Sequence, residues 1–417
     1  MRYSPLRRAL LPLAALGAAA CATADGPGAR IAVRDSAGVE IVENAGGGLW
    51  KAGEGLRLSA RPVLEIGGIE GEEGSDLYLV RGAVRLGDGR IVVADGASAQ
   101  LRFYSAGGRH LAAAGRSGDG PGEFRDLAAV GRAEGDTVLA YDPRAGRISV
   151  FTPAGAYVRS AAVGEPGLLA AEAPVGWLAS HVFVTQKSRV DEGVGPPADS
   201  GGRIHYRARA SLQFHGPDGR LLRTVAGLAG NEGVTFMSAA GAGRFRLSTV
   251  PVPFLKTLQT SAGRRSVAVG STDAYEIRLY GDGGQLRRIV RGPAQDRAVT
   301  RAHVDAWLRE SLADVRDPAV RRERRRQYEA LPLPAELPAF AGLLLDGADR
   351  LWVREYDPPG RATAAERWSV FDPRGRRLGE VEMPVRFVPC QIGADFVLGI
   401  RKDTLDVERV EMYRLTH

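Results

Sequence analysis

The side chains that most often carry chemistry are few and scattered in this chain of 417 residues, which has six histidines and two cysteines. No two histidines have the spacing that places a pair of metal ligands on one face of a helix or strand. No serine or cysteine lies in a recognisable nucleophile motif, and the glycine-rich loops open into strands rather than helices. The sequence therefore predicts no metal ligand and no catalytic residue. The histidines are His110, His181, His205, His215, His303 and His417.

Four polar residues that follow apolar runs are candidates for contacts with a ligand. Arg354 and Tyr356 belong to the segment Arg354-Glu355-Tyr356-Asp357. Asp95 and Asp142 each end a strand-like run, where an aspartate commonly binds the backbone of its own turn. We nominate all four as binding residues, with a structural role in the turn as the alternative for the two aspartates.

The composition is that of a globular, turn-rich protein. Hydrophobic residues make up 44% and charged residues 25%, and the 54 glycines and 24 prolines favour a β protein over a helical one. The net charge is +7, and three of the arginines responsible for it lie in the first eight residues. Because no basic stretch carries interleaved aromatic residues, a nucleic-acid partner is not predicted.

The N-terminus has the pattern of an export signal. Arginines precede an apolar run over residues 9–20, which is too short to be a membrane span. The run ends at Cys21 and resembles a bacterial lipobox, which predicts acylation of Cys21 and anchoring to a membrane of the cell envelope. Cleavage after Ala24 is the alternative, and it would give a periplasmic or secreted protein. On either interpretation, residues 1–24 contain the signal peptide.

A turn unit recurs five times and defines the architecture. An aromatic residue ends one strand, a glycine follows four residues later, and an apolar residue opens the next strand. Such turns between alternating runs predict β-hairpins. The five units are Tyr104/Gly108/Leu111, Phe151/Gly155/Val158, His215/Gly219/Leu222, Tyr280/Gly284/Leu286 and Phe371/Gly375/Leu378.

Another strand pair precedes each hairpin, so the repeating unit has four antiparallel strands. Radial repetition of such units is a β-propeller. We predict six blades over residues 62–417, with the third ending near 226 and the fourth beginning near 248. The last blade has three strands of its own, and residues 62–67 are predicted to complete it and close the ring. Residues 25–61 form an N-terminal extension with a β-hairpin over 31–44, and residues 297–337 form a two-helix insertion.

The stretch from Gly89 to Phe124 resembles an NHL repeat, and the wider chain resembles the bacterial six-bladed propellers related to that family. The resemblance implies a binding platform, since most such propellers bind partners, although some relatives are lyases. Lactonase-type propellers hold a central cation with carboxylate and asparagine ligands. Because this chain has only two asparagines, Asn44 and Asn231, it departs from that pattern.

The long connections all fall on one face of the predicted propeller, and loops on a rigid scaffold commonly carry function. We therefore predict that this face binds or scaffolds a protein, peptide or glycan, without a cofactor. The alternative is a propeller enzyme, a lyase or lactonase-like hydrolase, with a cation in the central channel. The long connections are residues 115–124, 187–202, 226–251, 292–338 and 355–367.

Overall fold

The computed structural model describes residues 21–23, 28–68, 76–164, 172–190, 203–239, 245–249, 252–361 and 363–417. Its strands form six sheets around a central cavity, and the inner strand of every sheet contributes residues to the lining of that cavity. The protein is therefore a six-bladed β-propeller with four ring strands in each blade, as predicted. The signal peptide proposed for residues 1–24 falls almost wholly outside the described residues.

Each blade is named by its ring strands, given from the inner to the outer strand. Blade 1 comprises Val80–Arg85, Ile91–Asp95, Gln100–Tyr104 and His110–Ala114. Blade 2 comprises Ala129–Arg132, Val138–Asp142, Arg147–Phe151 and Tyr157–Ala162, with a short 3-10 helix at Glu134–Asp136. Blade 3 comprises Glu172–Trp177, Phe183–Arg189, Arg203–His215 and Leu221–Ala239, followed by a fifth strand, Phe245–Thr249.

The second half of the ring follows the same order. Blade 4 comprises Leu258–Ala262, Ser266–Ser271, Glu276–Gly281 and Leu286–Arg291. Blade 5 comprises Gly342–Leu345, Leu351–Arg354, Ala365–Phe371 and Arg377–Pro384. Blade 6 comprises Phe387–Ile392, Phe396–Lys402, Glu408–Thr416 and the N-terminal strand Leu64–Ile66, with Arg57–Leu58 also pairing to its third strand.

The core lies between the faces of adjacent blades. All five residues of the second strand of blade 1 are buried, because both faces of the blade are covered. One cluster joins Val92 and Leu101 of blade 1 to Phe124, Val138 and Phe151 at blade 2. The recurring turns fit this packing, since the glycine of every predicted unit has a positive φ, between 70° and 88°. Glycine adopts that conformation without a steric penalty.

The ring is closed by strands from the two ends of the chain. Leu64–Ile66 pairs antiparallel with Val410–Met412 in blade 6. Leu64 and Ile66 are buried in a cluster that also contains residues of blade 1. The predicted closure is confirmed, because the N-terminal strand covers the edge of the third strand of blade 6.

The N-terminal hairpin extends blade 4 outward. Its strands are Ile31–Ser36 and Val39–Asn44, and the second pairs in parallel with the outer strand of blade 4. Cys21–Thr23 pairs antiparallel with Ile31–Val33 on the far side. The sheet of blade 4 consequently has seven strands.

The predicted two-helix insertion connects blades 4 and 5. Helix α1 spans Arg301–Ser311 and is capped by Thr300, whereas α2 spans Pro318–Glu329 and is capped by Asp317. Within the described part of the chain, no helix is long and apolar enough to cross a membrane.

The predicted bounds of blades 3 and 4 were wrong. The last two ring strands of blade 3 have 13 and 19 residues and continue past the blade, so most of the region predicted as a loop after residue 226 is strand. The paired residues run as far as Arg203 and Phe236. Phe245–Thr249 belongs to this extended sheet, and blade 4 begins only at Leu258.

Candidate functional site

The two faces of the propeller differ in their connections. The first and third turns of the blades lie on one face, which we call the short-turn face. The second turns and the links between blades lie on the other, which we call the long-loop rim. The rim carries the extension of blade 3, α1, α2 and the loop of residues 355–361.

Two adjoining cavities open on the long-loop rim. Their volumes are about 630 and 470 Å³, and both are lined by Tyr206, Glu232, Gly233 and Leu255. Because they share these residues, we treat them as one groove and call it the rim cleft. It lies between the extension of blade 3, the start of blade 4, the segment that enters blade 5, and the second turn of blade 5.

Arg354 and Tyr356 line the larger part of the rim cleft. The Arg354 guanidinium donates to a Glu366 carboxylate oxygen at 3.4 Å and to the Ala341 carbonyl at 3.3 Å. Both contacts are long, and the side chain is 36% exposed, so the guanidinium can still approach an acceptor on a ligand.

Burial, together with the nearby Glu310 carboxylate, raises the pKa of Tyr356 to about 12. Its hydroxyl therefore stays protonated at neutral pH and can donate a hydrogen bond.

Charged residues surround the smaller part of the rim cleft. The Arg207 guanidinium contacts Glu232 at 2.9 Å and Asp273 at 2.6 Å. The Lys256 ammonium donates to the Glu336 carbonyl at 2.5 Å, and the Lys256 backbone N–H donates to Glu232 at 2.7 Å. Burial, and then the neighbouring Arg297, lower the pKa of Lys256. These bonds fix the positions of the two carboxylates that a basic group on a ligand would meet.

The floor of the rim cleft is apolar, and the helical insertion supports one side of it. Val234 and Val252 pack with Leu331 in a buried cluster. Trp307 of α1 and Tyr328 of α2 adjoin that cluster, with ring centroids 5.0 Å apart. The helices are thus held against the extension of blade 3.

The loop of residues 355–361 is tied to the same insertion. The Glu310 carboxylate of α1 accepts a hydrogen bond from the Gly360 backbone N–H at 2.8 Å. The loop that carries Tyr356 is therefore positioned by α1.

Asp95 and Asp142 lie in blades 1 and 2 and are not among the residues that line the rim cleft. The Asp95 carboxylate accepts from the Ala97 and Ser98 backbone N–H groups and pairs with Arg102 at 2.6 Å.

Asp142 is fully buried. Its carboxylate accepts from the Ala145 backbone N–H at 2.8 Å and the Arg125 backbone N–H at 2.7 Å. The structure therefore brings together only Arg354 and Tyr356 of the four nominated residues.

Sequence reasoning missed most of the rim cleft. Tyr206, Glu232 and Phe254 lie in or next to a region that was interpreted as a loop, so nothing related them to Arg354. The available signal was the alternation of His205, Arg207 and Arg209 with other residues, which is typical of a strand. Among the described residues, no group of three or more His, Cys, Asp or Glu side chains is placed to hold a metal ion.

No protein-family model and no curated protein matches this chain. Solved structures do match it. A protein from Bacteroides fragilis described as exported is 10% identical with a TM-score of 0.45, covering 90% of this chain and 99% of that one. Virginiamycin B lyase from Staphylococcus aureus, solved with quinupristin, is 10% identical with a TM-score of 0.39, covering 87% and 100%.

A gluconolactonase from Xanthomonas campestris is 12% identical with a TM-score of 0.37, covering 82% of this chain and 88% of that one. At these identities and TM-scores, the activities of these proteins are not transferable to this chain. The propeller assignment rests on the six sheets and their common cavity.

Proposed function

We propose that this protein is an exported binding module whose rim cleft receives an extended peptide segment of a protein partner. The observation that carries the proposal is the arrangement of the cleft around an apolar floor. Hydrogen-bond donors from Arg354 and Tyr356 lie at one end, the Asp273 carboxylate lies at the other, and Glu232 lies where the two parts join. Concave sites with an apolar lining and a few fixed polar groups are typical binding sites.

This arrangement favours a peptide over a glycan. Apolar side chains of a peptide would cover Val252 and Phe254, while its carbonyl or carboxylate groups would meet Arg354. Polar or charged side chains would meet the ion pairs that Arg207 forms with Glu232 and Asp273. A glycan has few apolar groups for such a floor, and its hydroxyls would leave the buried part of the cleft poorly matched.

Cell-envelope anchoring through an acylated Cys21 is part of this proposal. The N-terminal charge pattern and the lipobox-like sequence support it. Mass spectrometry of the membrane-associated protein tests it, because a diacylated N-terminal Cys21 has a distinct mass. A chain that begins after Ala24 would contradict the anchor and leave a periplasmic or secreted protein.

Selection from a random peptide library on the purified protein tests the rim cleft. We expect enriched peptides that combine apolar residues with at least one charge and bind with a Kd on the order of micromolar. Replacing Tyr356 with Ala and Arg354 with Glu should weaken binding by at least about tenfold, because truncated anchors in such sites cost about 1–2 kcal/mol or more.

Arg109→Glu is the matched control, since Arg109 lies in a turn of the short-turn face. It should leave peptide affinity unchanged. If the peptides bind Tyr356→Ala, Arg354→Glu and the wild type with equal affinity, the rim cleft is not the binding site. Failure to enrich any peptide would remove the proposal.

A further inference from the structure

A second cavity, of about 540 Å³, lies on the short-turn face between blades 4 and 5. Four of its lining residues are arginines: Arg264, Arg265, Arg287 and Arg288. We call it the arginine pocket. It lies on the opposite face from the rim cleft, so it is independent of the proposed peptide site.

The arginine pocket has an excess of positive charge. Arg264 and Arg265 are exposed, and neither guanidinium forms an ion pair with any residue in the described ranges. The lining contains one carboxylate, that of Asp349, and it accepts hydrogen bonds from the Arg265 backbone N–H at 3.0 and 3.2 Å. That carboxylate is bound to the backbone and also interacts electrostatically with Arg265. The lining therefore still has more guanidinium groups than carboxylates, with Arg264 the more available of the two turn arginines.

The remaining arginines of the pocket are partly neutralised. Arg288 pairs with Glu40 of the N-terminal hairpin. Arg287 lies 3.7 Å from Asp282, and both side chains are more than half exposed. Such exposed pairs contribute little and can exchange for another anion.

Guanidinium groups suit phosphate in particular. Each presents planar, paired N–H donors that match two phosphate oxygens, and several near one surface favour an anionic one. A pocket open to solvent, lined by adjacent arginines from a turn and a strand, is chemically suited to phosphate groups presented side by side.

The N-terminal hairpin places the lipobox cysteine near this pocket. Its second strand runs parallel to Leu286–Arg291, whose first residues follow a short-turn-face turn. The paired register puts Cys21 opposite Val33, three residues from the hairpin end at Ser36. At about 3.3 Å per residue, the Cys21 backbone lies roughly 10 Å along the strand direction from the short-turn end of the hairpin. It is three strands away from the outer strand of blade 4 in the same sheet. The chain enters this strand from the short-turn side.

We propose that the arginine pocket docks on phosphate-bearing lipid headgroups, so that the short-turn face lies against the membrane and the rim cleft faces away from it. The acyl anchor and the pocket would then meet one surface at blade 4. The pocket makes the contact electrostatically even when the anchor is missing.

Vesicle co-sedimentation of the anchor-free chain, beginning at Ala22, tests this docking, because it retains all six blades and the hairpin. Wild type should bind vesicles with about 30 mol% phosphatidylglycerol and not pure phosphatidylcholine, and raised salt should weaken binding. Changing Arg264 and Arg265 to Glu should lower the partition coefficient by at least about tenfold.

The matched control is the double change of Arg321 and Arg322 to Glu, the same charge change on α2 at the long-loop rim. It should alter vesicle binding by less than about twofold. Equal loss in the two double variants, or no binding of wild type to anionic vesicles, would overturn the proposal. Inorganic phosphate is the second probe: thermal stabilisation by phosphate that depends on Arg264 and Arg265, without vesicle binding, would assign the pocket to a soluble anion instead.

Discussion

His215 occupies the place that an aromatic residue holds in the other turn units, and its ring is 2% exposed. Its Nδ1 lies 3.3 Å from the Gly219 carbonyl, and its Nε2 lies 3.3 Å from the Thr185 hydroxyl. The Thr185 hydroxyl in turn lies 3.3 Å from a Glu172 carboxylate oxygen. The imidazole is therefore a buried polar group in a position where blades 1, 2, 4 and 5 place an aromatic ring.

Burial lowers the pKa of His215, and the Gly219 carbonyl and Glu172 only partly oppose this effect. The folded protein consequently binds this proton less readily than the unfolded chain does. Stability from this residue is fully present at neutral pH and is lost as the pH falls below about 6.5, the ordinary imidazole value. In the wild type, the urea midpoint should fall as the pH is lowered from 7.5 to 5. We expect this fall to be smaller in His215→Phe and unchanged in the control His417→Gln, which alters the C-terminal residue. Equal slopes in all three proteins would contradict this assignment.

For single residues, the sequence identified turn glycines and candidate binding residues more readily than the side chains that lie beside them in the fold. The turn glycines follow from local spacing, because a tight reversal demands a positive φ wherever the fold places it. Arg354 and Tyr356 were found because they come at the end of an apolar run. Tyr206 lines the same cleft. It could not be related to them, since this placement depends on how blades 3, 4 and 5 are arranged and local spacing carries no information about that.

At the scale of elements, Asn44 joins the N-terminal hairpin to blades 4 and 5. Its side-chain amide donates to the Arg291 and Gly375 carbonyls at 3.1 and 3.0 Å and accepts from the Arg377 backbone N–H at 2.8 Å. Asn44 is 2% exposed, so removal of its amide would leave three backbone groups without a partner. Each such buried group costs about 1–3 kcal/mol, although water can recover part of that.

We therefore expect Asn44→Ala to lower the free energy of unfolding by about 2–4 kcal/mol in urea titrations. Asp35→Ala, at the exposed tip of the same hairpin, removes one hydrogen bond to the Gly38 N–H and should cost less than about 0.5 kcal/mol. If Asn44→Ala lowers the free energy of unfolding no more than Asp35→Ala does, the hairpin contributes little to the stability of the propeller.

The hairpin itself was predictable from alternation around its turn, but its parallel pairing with blade 4 was not. That contact joins Glu40 to Arg288, which are 248 positions apart. Neither segment has a sequence feature that identifies the other as its partner. The strands of blade 3 were underestimated for a different reason. Gly227, Gly230 and Gly233 interrupt the apolar alternation of this segment, whereas the backbone continues to pair through bulges.

At the scale of the whole molecule, the number of blades and the mode of closure followed from counting strands: the final repeat was one strand short, and residues 62–67 supplied the missing one. Closure matters because an open ring exposes two strand edges and the apolar faces of two blades. Leu64 and Ile66 are 8% and 3% exposed and contact the cluster shared by blades 6 and 1. Residues 64–66 therefore supply the outer strand of blade 6 and part of the apolar cluster between blades 6 and 1.

Replacing Leu64 and Ile66 together with Ala should lower the free energy of unfolding by about 3–6 kcal/mol, because each removes a buried branched side chain from a packed interface. Since every blade is buried against two neighbours, we expect one cooperative transition at a lower urea midpoint rather than separate loss of blade 6. Val63→Ala is the control, since Val63 is adjacent in sequence but 49% exposed, and it should shift the midpoint little. A second transition in the double variant, with the main midpoint unchanged, would show that blades 1–5 stand without the closure. In that case the N-terminal strand would stabilise blade 6 alone. A single transition at a lower midpoint would show that the six blades unfold together and that pairing of the two chain ends stabilises all of them.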